Sequence, residues 1–172
     1  MTGDPLHLVF VGSMGAGKTT VGKLAAVHLG LAFIDGDELL ALVTMRTAAQ
    51  IAVDDGLDIL HGFEAGALLK ALSMPDPSVV AASASVVDSE ACREALRDFA
   101  FVVWLTADPA VLDVRAATGT HRPQLDIAAL LVDRADRYEE VAHLAIDVRD
   151  HDAVAAAELA AVAYRAALSP PS

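Results

Sequence analysis

The chain of 172 residues holds one cysteine, one tryptophan and only three lysines. The lone thiol, Cys92, excludes a disulfide framework and any cysteine-rich zinc site. The six histidines are scattered, without H-x-E or H-E-x-x-H spacing, so a histidine zinc site is not expected either. Positive charge is scarce: 12 basic side chains stand against 24 acidic ones, a net charge of -12. Such a chain lacks the basic footprint that a nucleic-acid backbone demands, and an anionic membrane surface repels it. No uncharged apolar run approaches the roughly 18 residues a membrane helix needs. The opening Met1-Thr2-Gly3-Asp4-Pro5 lacks the basic and apolar regions of a signal peptide. No internal repeat is visible. The expectation is a reduced, cytoplasmic, monomeric protein of one domain over 1–172, with neither nucleic acid nor membrane as partner.

What is present alternates between two patterns. Short apolar runs at Leu6 to Val11, Ala32 to Ile34, Val79 to Ala82, Phe99 to Leu105 and Leu144 to Val148 read as strands apolar on both faces. Strands of that kind suit a parallel sheet covered by helices on both sides. Helical patterns lie between them. Val21, Leu24, Ala25, His28 and Leu29 form one helix face, and Glu38 to Val53, Leu57 to Leu72, Ser89 to Leu96, Ile127 to Val141 and Ala153 to Leu168 supply the rest. Ser89 reads as a helix cap. The alternation predicts an α/β three-layer domain. Residues 116–126 have no clear periodicity and are the place for a lid.

The strongest signal is Gly12-Ser13-Met14-Gly15-Ala16-Gly17-Lys18-Thr19, which satisfies G-x-x-x-x-G-K-S/T at every fixed position. It follows a predicted strand and opens a predicted helix. Glycines let the backbone curl so that its N–H groups face phosphate oxygens, and the helix N-terminus adds positive potential. Lys18 can reach the β- and γ-phosphates, and the Thr19 hydroxyl can bind Mg²⁺. The motif predicts binding of a nucleoside triphosphate more firmly than any one reaction.

Asp35 and Asp37 end the second predicted strand, at the edge of a parallel sheet where ligands bind. A carboxylate there can hold the Mg²⁺ shell or orient an attacking hydroxyl. Asp37 also reads as an N-cap for the helix that follows. In an acidic protein the arginines at 115, 122, 134 and 137 must focus positive charge on an anionic nucleotide. Arg122 lies in the candidate lid, where it can close over transferring phosphates. Arg137 is expected to pair with Asp133 on its own helix. Cys92 and Trp104 are expected to be structural.

The stretch from Gly12 to Ala25, Phe33-Ile34-Asp35-Gly36-Asp37, Arg122-Pro123, and Arg134 followed by Tyr138-Glu139-Glu140-Val141-Ala142 resemble the shikimate kinase family over roughly residues 6–168. The resemblance implies a P-loop fold with a five-stranded parallel sheet in the order 2-3-1-4-5, a lid, and an acceptor-binding helical region at about 37–64. It implies phosphoryl transfer from ATP, with Mg²⁺, to a hydroxyl of shikimate or a related small hydroxylated compound. The P-loop, Gly12 to Thr20, would hold ATP, and Arg115 would pack near adenine. Lys18, Asp35 and Arg122 would serve catalysis, and Thr19 and Asp35 the metal. Asp37 would hold the acceptor hydroxyls and Arg134 the acceptor carboxylate. The Asp35-Gly36-Asp37 triplet also looks like that of gluconate kinases, but the segment from Arg134 to Tyr138 does not.

Three departures from the family fall on the acceptor side, and a fourth lies closer to the lid. A phenylalanine–arginine pair becomes Leu60-His61, a triple glycine becomes Ser83-Ala84-Ser85, a serine or threonine becomes Ala81, and the lid sequence runs on as Gln124-Leu125. Glu64 is retained. Losing one charge-assisted bond of about 1.5–3 kcal/mol weakens binding about 10- to 150-fold. Side chains in place of glycines add strain wherever φ was positive. His61, Ser83, Ala84 and Ser85 therefore join the candidate acceptor contacts in a remodelled pocket. If His61 replaces the arginine, an anionic acceptor binds better below about pH 6.5. The alternative is a weak or inactive paralogue that binds nucleotide in a regulatory role.

Overall fold

A computed structural model describes residues 7–106 and 127–169. In chain order the elements are β1 (His7–Val11), α1 (Lys18–Leu29), β2 (Ala32–Asp35), α2 (Gly36–Thr44), α3 (Ala48–Asp54), α4 (Leu57–Leu72), β3 (Ser78–Ala81), a 3₁₀ turn (Ala84–Asp88), α5 (Glu90–Phe99), β4 (Ala100–Thr106), α6 (Ile127–Val141), β5 (Leu144–Asp147) and α7 (Ala153–Leu168). The five strands are parallel, in the order β2-β3-β1-β4-β5. Fold class and strand order are those expected. The lid candidate at 116–126, with Arg122, and Arg115 before it, lie outside the described residues.

The sheet is buried on both faces because its strands are apolar at odd and even positions alike. On β1, Leu8 and Phe10 face one core with Phe101, Val103 and Leu105 of β4, against α1 and α7. Val9 and Val11 face the other, with Val102, against Leu68 and Leu72 of α4, Leu96 of α5 and Tyr138 of α6. Every side chain of β1 is fully buried. His7 fits because its ring shares a 2.9 Å hydrogen bond with Ser78 Oγ at the start of β3. Cys92 is buried against the second core, and burial pushes its thiol pKa up. Trp104 packs on the same core and stacks on Tyr138. Both residues are structural, as expected. No described helix is long and apolar enough to cross a membrane.

Three expectations need correction. His28 belongs to α1 but is exposed; Ala26, with Val21, Gly22 and Ala25, completes the buried face instead. Phe99 ends α5, and β4 begins at Ala100. The single helix expected over Glu38 to Val53 is two helices. Met45, at φ 58, stops α2 in a left-handed conformation. Thr47 then starts α3 with a capping box: its hydroxyl accepts from Gln50 N, and Gln50 Oε1 accepts from Thr47 N. Arg46 ties this corner down by pairing with Asp54 and Asp55. Apolar periodicity ran through the break because Leu40, Ile51 and Leu60 all feed one small core beneath α2, α3 and α4.

The corner makes two opposite predictions for thermal unfolding. Thr47→Ala removes the cap at a cost of about 1 kcal/mol, which lowers Tm by about 2–4 °C in a chain of this size. Met45 is 84% exposed, so Met45→Gly loses little packing. It relieves about 1 kcal/mol of left-handed strain and raises Tm. A lower Tm for the glycine variant would contradict this account of the corner.

Candidate active site

The turn between β1 and α1 is shaped by three glycines with positive φ: Gly12 at 139°, Gly15 at 81° and Gly17 at 92°. Gly12 also passes close to β4, where a Cβ would lie 2.5 Å from the carbonyl oxygen of Leu105. No other residue fits that position without moving backbone. Ser13 and Ala16 are buried within the turn, while Met14, Gly15 and Gly17 are half-buried. Lys18 folds back across the loop and donates to the carbonyls of Gly12 and Ser13, at 2.8 and 2.9 Å. Its ammonium therefore sits at the mouth of the cradle. Thr19 and Thr20 lie exposed in the first turn of α1.

Asp35 joins this cradle to the next element. Its Oδ2 accepts from Thr19 Oγ1 at 2.7 Å, and its Oδ1 accepts from the backbone N–H groups of Asp37 and Glu38. The N-cap of α2 is thus Asp35, not Asp37. β2 keeps extended dihedrals through Asp35 and the helix starts at Gly36, which leaves Asp37 in the first turn. Gly36 lets the chain pass close to β3, since a Cβ there would lie 3.0 Å from the carbonyl oxygen of Ala81.

The replaced triple glycine meets Asp37 across this gap. Ser83 Oγ donates to Asp37 Oδ1 at 3.0 Å. Ser85 is buried, and its hydroxyl donates to Oε2 of Glu64, which is itself only 2% exposed. The expected strain is absent: Ser83 is extended (φ -64, ψ 151), Ala84 and Ser85 enter the 3₁₀ turn, and Met45 is the one described non-glycine residue with positive φ. The serines make new polar contacts in addition to filling space. The Ala84 carbonyl accepts from the Tyr138 hydroxyl at 2.8 Å. Burial raises the Tyr138 pKa, against the opposing influence of Arg134 and of the Ser13 hydroxyl beside it. That tyrosine stays protonated and stitches the P-loop, the 3₁₀ turn and α6 together.

Arg134 is 7% exposed, and Asp88 grips its Nε–Nη2 edge with contacts of 2.6 to 3.1 Å. Arg137 pairs with Asp133, as expected, and also with Asp88. Leu60 is core, and His61 lies half-buried one residue further along α4. The sequence reading missed Asp88 and the hydroxyl contact of Tyr138. Asp88 sits 46 residues from Arg134, so no local spacing could announce the pair. A carboxylate three residues beyond the 83–85 segment was the only available hint.

The donor set at Thr19 and Asp35, a hydroxyl and a carboxylate oxygen already in contact, suits a hard cation that prefers oxygen ligands. No described group of three or more His, Cys, Asp or Glu side chains could hold a metal alone. That fits Mg²⁺, which binds through one or two protein oxygens together with substrate phosphates.

The cradle makes its own prediction. Gly12→Ala places a methyl group against the Leu105 carbonyl at a left-handed position, so both thermal stability and MgATP affinity should fall, the affinity at least about tenfold. Unchanged nucleotide binding in a folded Gly12→Ala protein would contradict the close approach.

Comparison with known proteins gives one answer at three levels. The family profile described as shikimate kinase matches residues 14–163. A shikimate kinase of Symbiobacterium thermophilum is 37% identical over 150 residues, covering 82% of this chain and 86% of that protein. Shikimate kinase 2 of Yersinia pestis is 34% identical over 150 residues, covering 81% of this chain and 85% of that protein. The structure is similar to that of the Acinetobacter baumannii shikimate kinase in complex with shikimate, with a TM-score of 0.83 at 29% identity, covering 95% and 93% of the two chains. The chain belongs to the shikimate kinase family, ATP- and Mg²⁺-dependent phosphotransferases with an alcohol acceptor.

Proposed function

We propose that this chain transfers the γ-phosphoryl group of MgATP to a hydroxyl of shikimate or a related small hydroxylated compound, as a single-domain cytoplasmic monomer. The observation that carries the proposal is the contact of Thr19 with Asp35 and of Asp37 with Ser83. These two hydrogen bonds set the metal-type oxygens and an acceptor-type carboxylate two residues apart at the mouth of the cradle.

The P-loop from Gly12 to Thr20 holds the triphosphate through backbone N–H groups and the α1 N-terminus. Lys18 leaves the Gly12 and Ser13 carbonyls for the transferring phosphoryl oxygens, whose charge it stabilises. Thr19 and Asp35 would hold Mg²⁺, which would supply positive charge to neutralise the phosphates. Asp37, oriented by Ser83, holds the acceptor hydroxyl in line. The acceptor oxygen bonds to the γ-phosphorus as the bond to the β-phosphate oxygen breaks; ADP departs and the hydroxyl proton passes to solvent. By the family pattern Arg122 would contact the phosphates and Arg115 would pack near adenine; both lie outside the described residues. His61, Ala84, Ser85 and Arg134 line the acceptor side.

ADP release from MgATP should rise when shikimate, or another small hydroxylated acid or polyol, is added, with Lys18→Ala as the blank. Asp35→Asn should lower kcat at least about 100-fold, as loss of a preorganised charged group does. Asp37→Asn should act mainly on the acceptor KM. ATP turnover indifferent to every acceptor, or equal in Lys18→Ala, would contradict the proposal.

A further inference from the structure

The Tyr138 hydroxyl stands where three parts of the proposed site meet, and the phosphoryl-transfer step leaves it without a task. The side chain is fully buried. Its ring stacks on Trp104, with centroids 5.7 Å and planes 24° apart, so packing between α6 and β4 fixes where the hydroxyl sits. That hydroxyl donates to the Ala84 carbonyl at 2.8 Å. The Ser13 hydroxyl and the Arg134 guanidinium lie beside the same phenol oxygen. A phenol donates one proton and also accepts, so it can serve Ala84 and Ser13 at once.

One arm of this junction ends in the phosphate cradle. Ser13 is buried there, and its carbonyl is one of two that accept from Lys18. On the kinase reading Lys18 leaves that carbonyl for phosphate, so nucleotide changes the bonding of Ser13 itself. The other arm ends at Ala84, which opens the 3₁₀ turn beside Ser83. The backbone of that turn holds itself weakly: Val86 N to Ser83 O spans 3.4 Å and Ser89 N to Val86 O 3.3 Å, beyond the usual range of about 2.7–3.2 Å. Side chains supply firmer ties to its carbonyls, Tyr138 on Ala84 at 2.8 Å and Arg93 on Val87 at 2.7 Å. Of these two, Tyr138 is the one set beside Ser13.

Resting on the kinase reading above, we infer that Tyr138 is a positioning residue whose hydroxyl carries nucleotide binding from Ser13 to the 83–88 segment, so that nucleotide and acceptor strengthen each other's binding through it. The element that both ligands bias is the chain Ser13–Tyr138–Ala84. It has two arrangements, one with Lys18 on the Ser13 carbonyl and one with Lys18 on phosphate. Coupling between two sites is reciprocal and typically amounts to about 5- to 150-fold in affinity.

The test is amide hydrogen exchange of the full chain, with and without Mg²⁺ and a saturating non-hydrolysable ATP analogue. It is run on the unaltered protein, on Tyr138→Phe and on Ser13→Ala. Tyr138→Phe keeps the ring on Trp104, and Ser13→Ala keeps the Tyr138–Ala84 bond, so the two cut different arms. In the unaltered protein the analogue should slow exchange at the Val86 and Ser89 amides at least about fivefold. In both variants that slowing should shrink to within about twofold, while slowing at the amides of residues 12–20 persists. A general loss of stability would not separate the two segments in this way. No slowing at Val86 and Ser89 in the unaltered protein, or an undiminished one in Tyr138→Phe, overturns the inference; if Tyr138→Phe does not fold, Ser13→Ala decides. None of this requires an acceptor. Shikimate, titrated by calorimetry, then reads the acceptor arm: the analogue should tighten it at least about fivefold in the unaltered protein and within about twofold in Tyr138→Phe. Shikimate bound equally well with and without the analogue overturns the inference. A protein that passes the exchange test yet phosphorylates no acceptor contradicts the kinase reading and leaves the coupling standing.

Discussion

The site depends on one carboxylate with two tasks. Asp35 caps α2 with one oxygen and receives Thr19 with the other. A cap of this kind contributes about 1 kcal/mol, but its larger effect is geometric. It fixes the end of β2 against the first turn of α1, so the phosphate cradle and the acceptor helices share one corner. Gly36 completes the arrangement by letting α2 start hard against the carbonyl end of β3, which brings Asp37 within reach of Ser83. Neither contact survives a shift of the strand ends by an ångström or two, and the strand ends are held by a sheet buried on both faces.

Around that corner the two halves of the proposed site, nucleotide and acceptor, follow different electrostatic logic. The nucleotide half concentrates backbone N–H groups, a helix N-terminus and Lys18 in a protein of net charge -12. The acceptor half does the opposite. Its buried arginine is neutralised from within by Asp88, and its hydroxyls are set against carboxylates. Tyr138 links the halves, touching the Ala84 carbonyl and lying beside Ser13 and Arg134. Two of the departures from the family pattern, Ser83 and Ser85, are built into polar contacts of the fold. Serines at 83 and 85 sit without backbone strain and donate to one oxygen each of Asp37 and Glu64.

The nucleotide half was legible because its chemistry is local. Eight consecutive residues carry the P-loop, and the apolar runs on either side of it announce a parallel strand and a helix. The sheet was legible for a related reason: apart from His7, Ser78 and Thr106 at their ends, β1, β3 and β4 are apolar on both faces, as central strands are. The acceptor half was not. The break at Met45 hid inside an unbroken apolar pattern, because α2 and α3 bury side chains in the same small core. The N-cap was assigned two residues late, since Asp35 and Asp37 are equally good capping residues and only backbone dihedrals separate them. The pairing of Asp88 with Arg134, and of Ser85 with Glu64, joins residues brought together by the crossover of helices and leaves no periodic trace.

The most direct test of the account is the fate of the transferred phosphoryl group, followed by ³¹P NMR with MgATP and a hydroxylated acceptor. The account predicts a new phosphomonoester resonance growing in step with ADP, with no matching growth of inorganic phosphate. Inorganic phosphate alone, or an unchanged ATP spectrum from a folded protein, would contradict it.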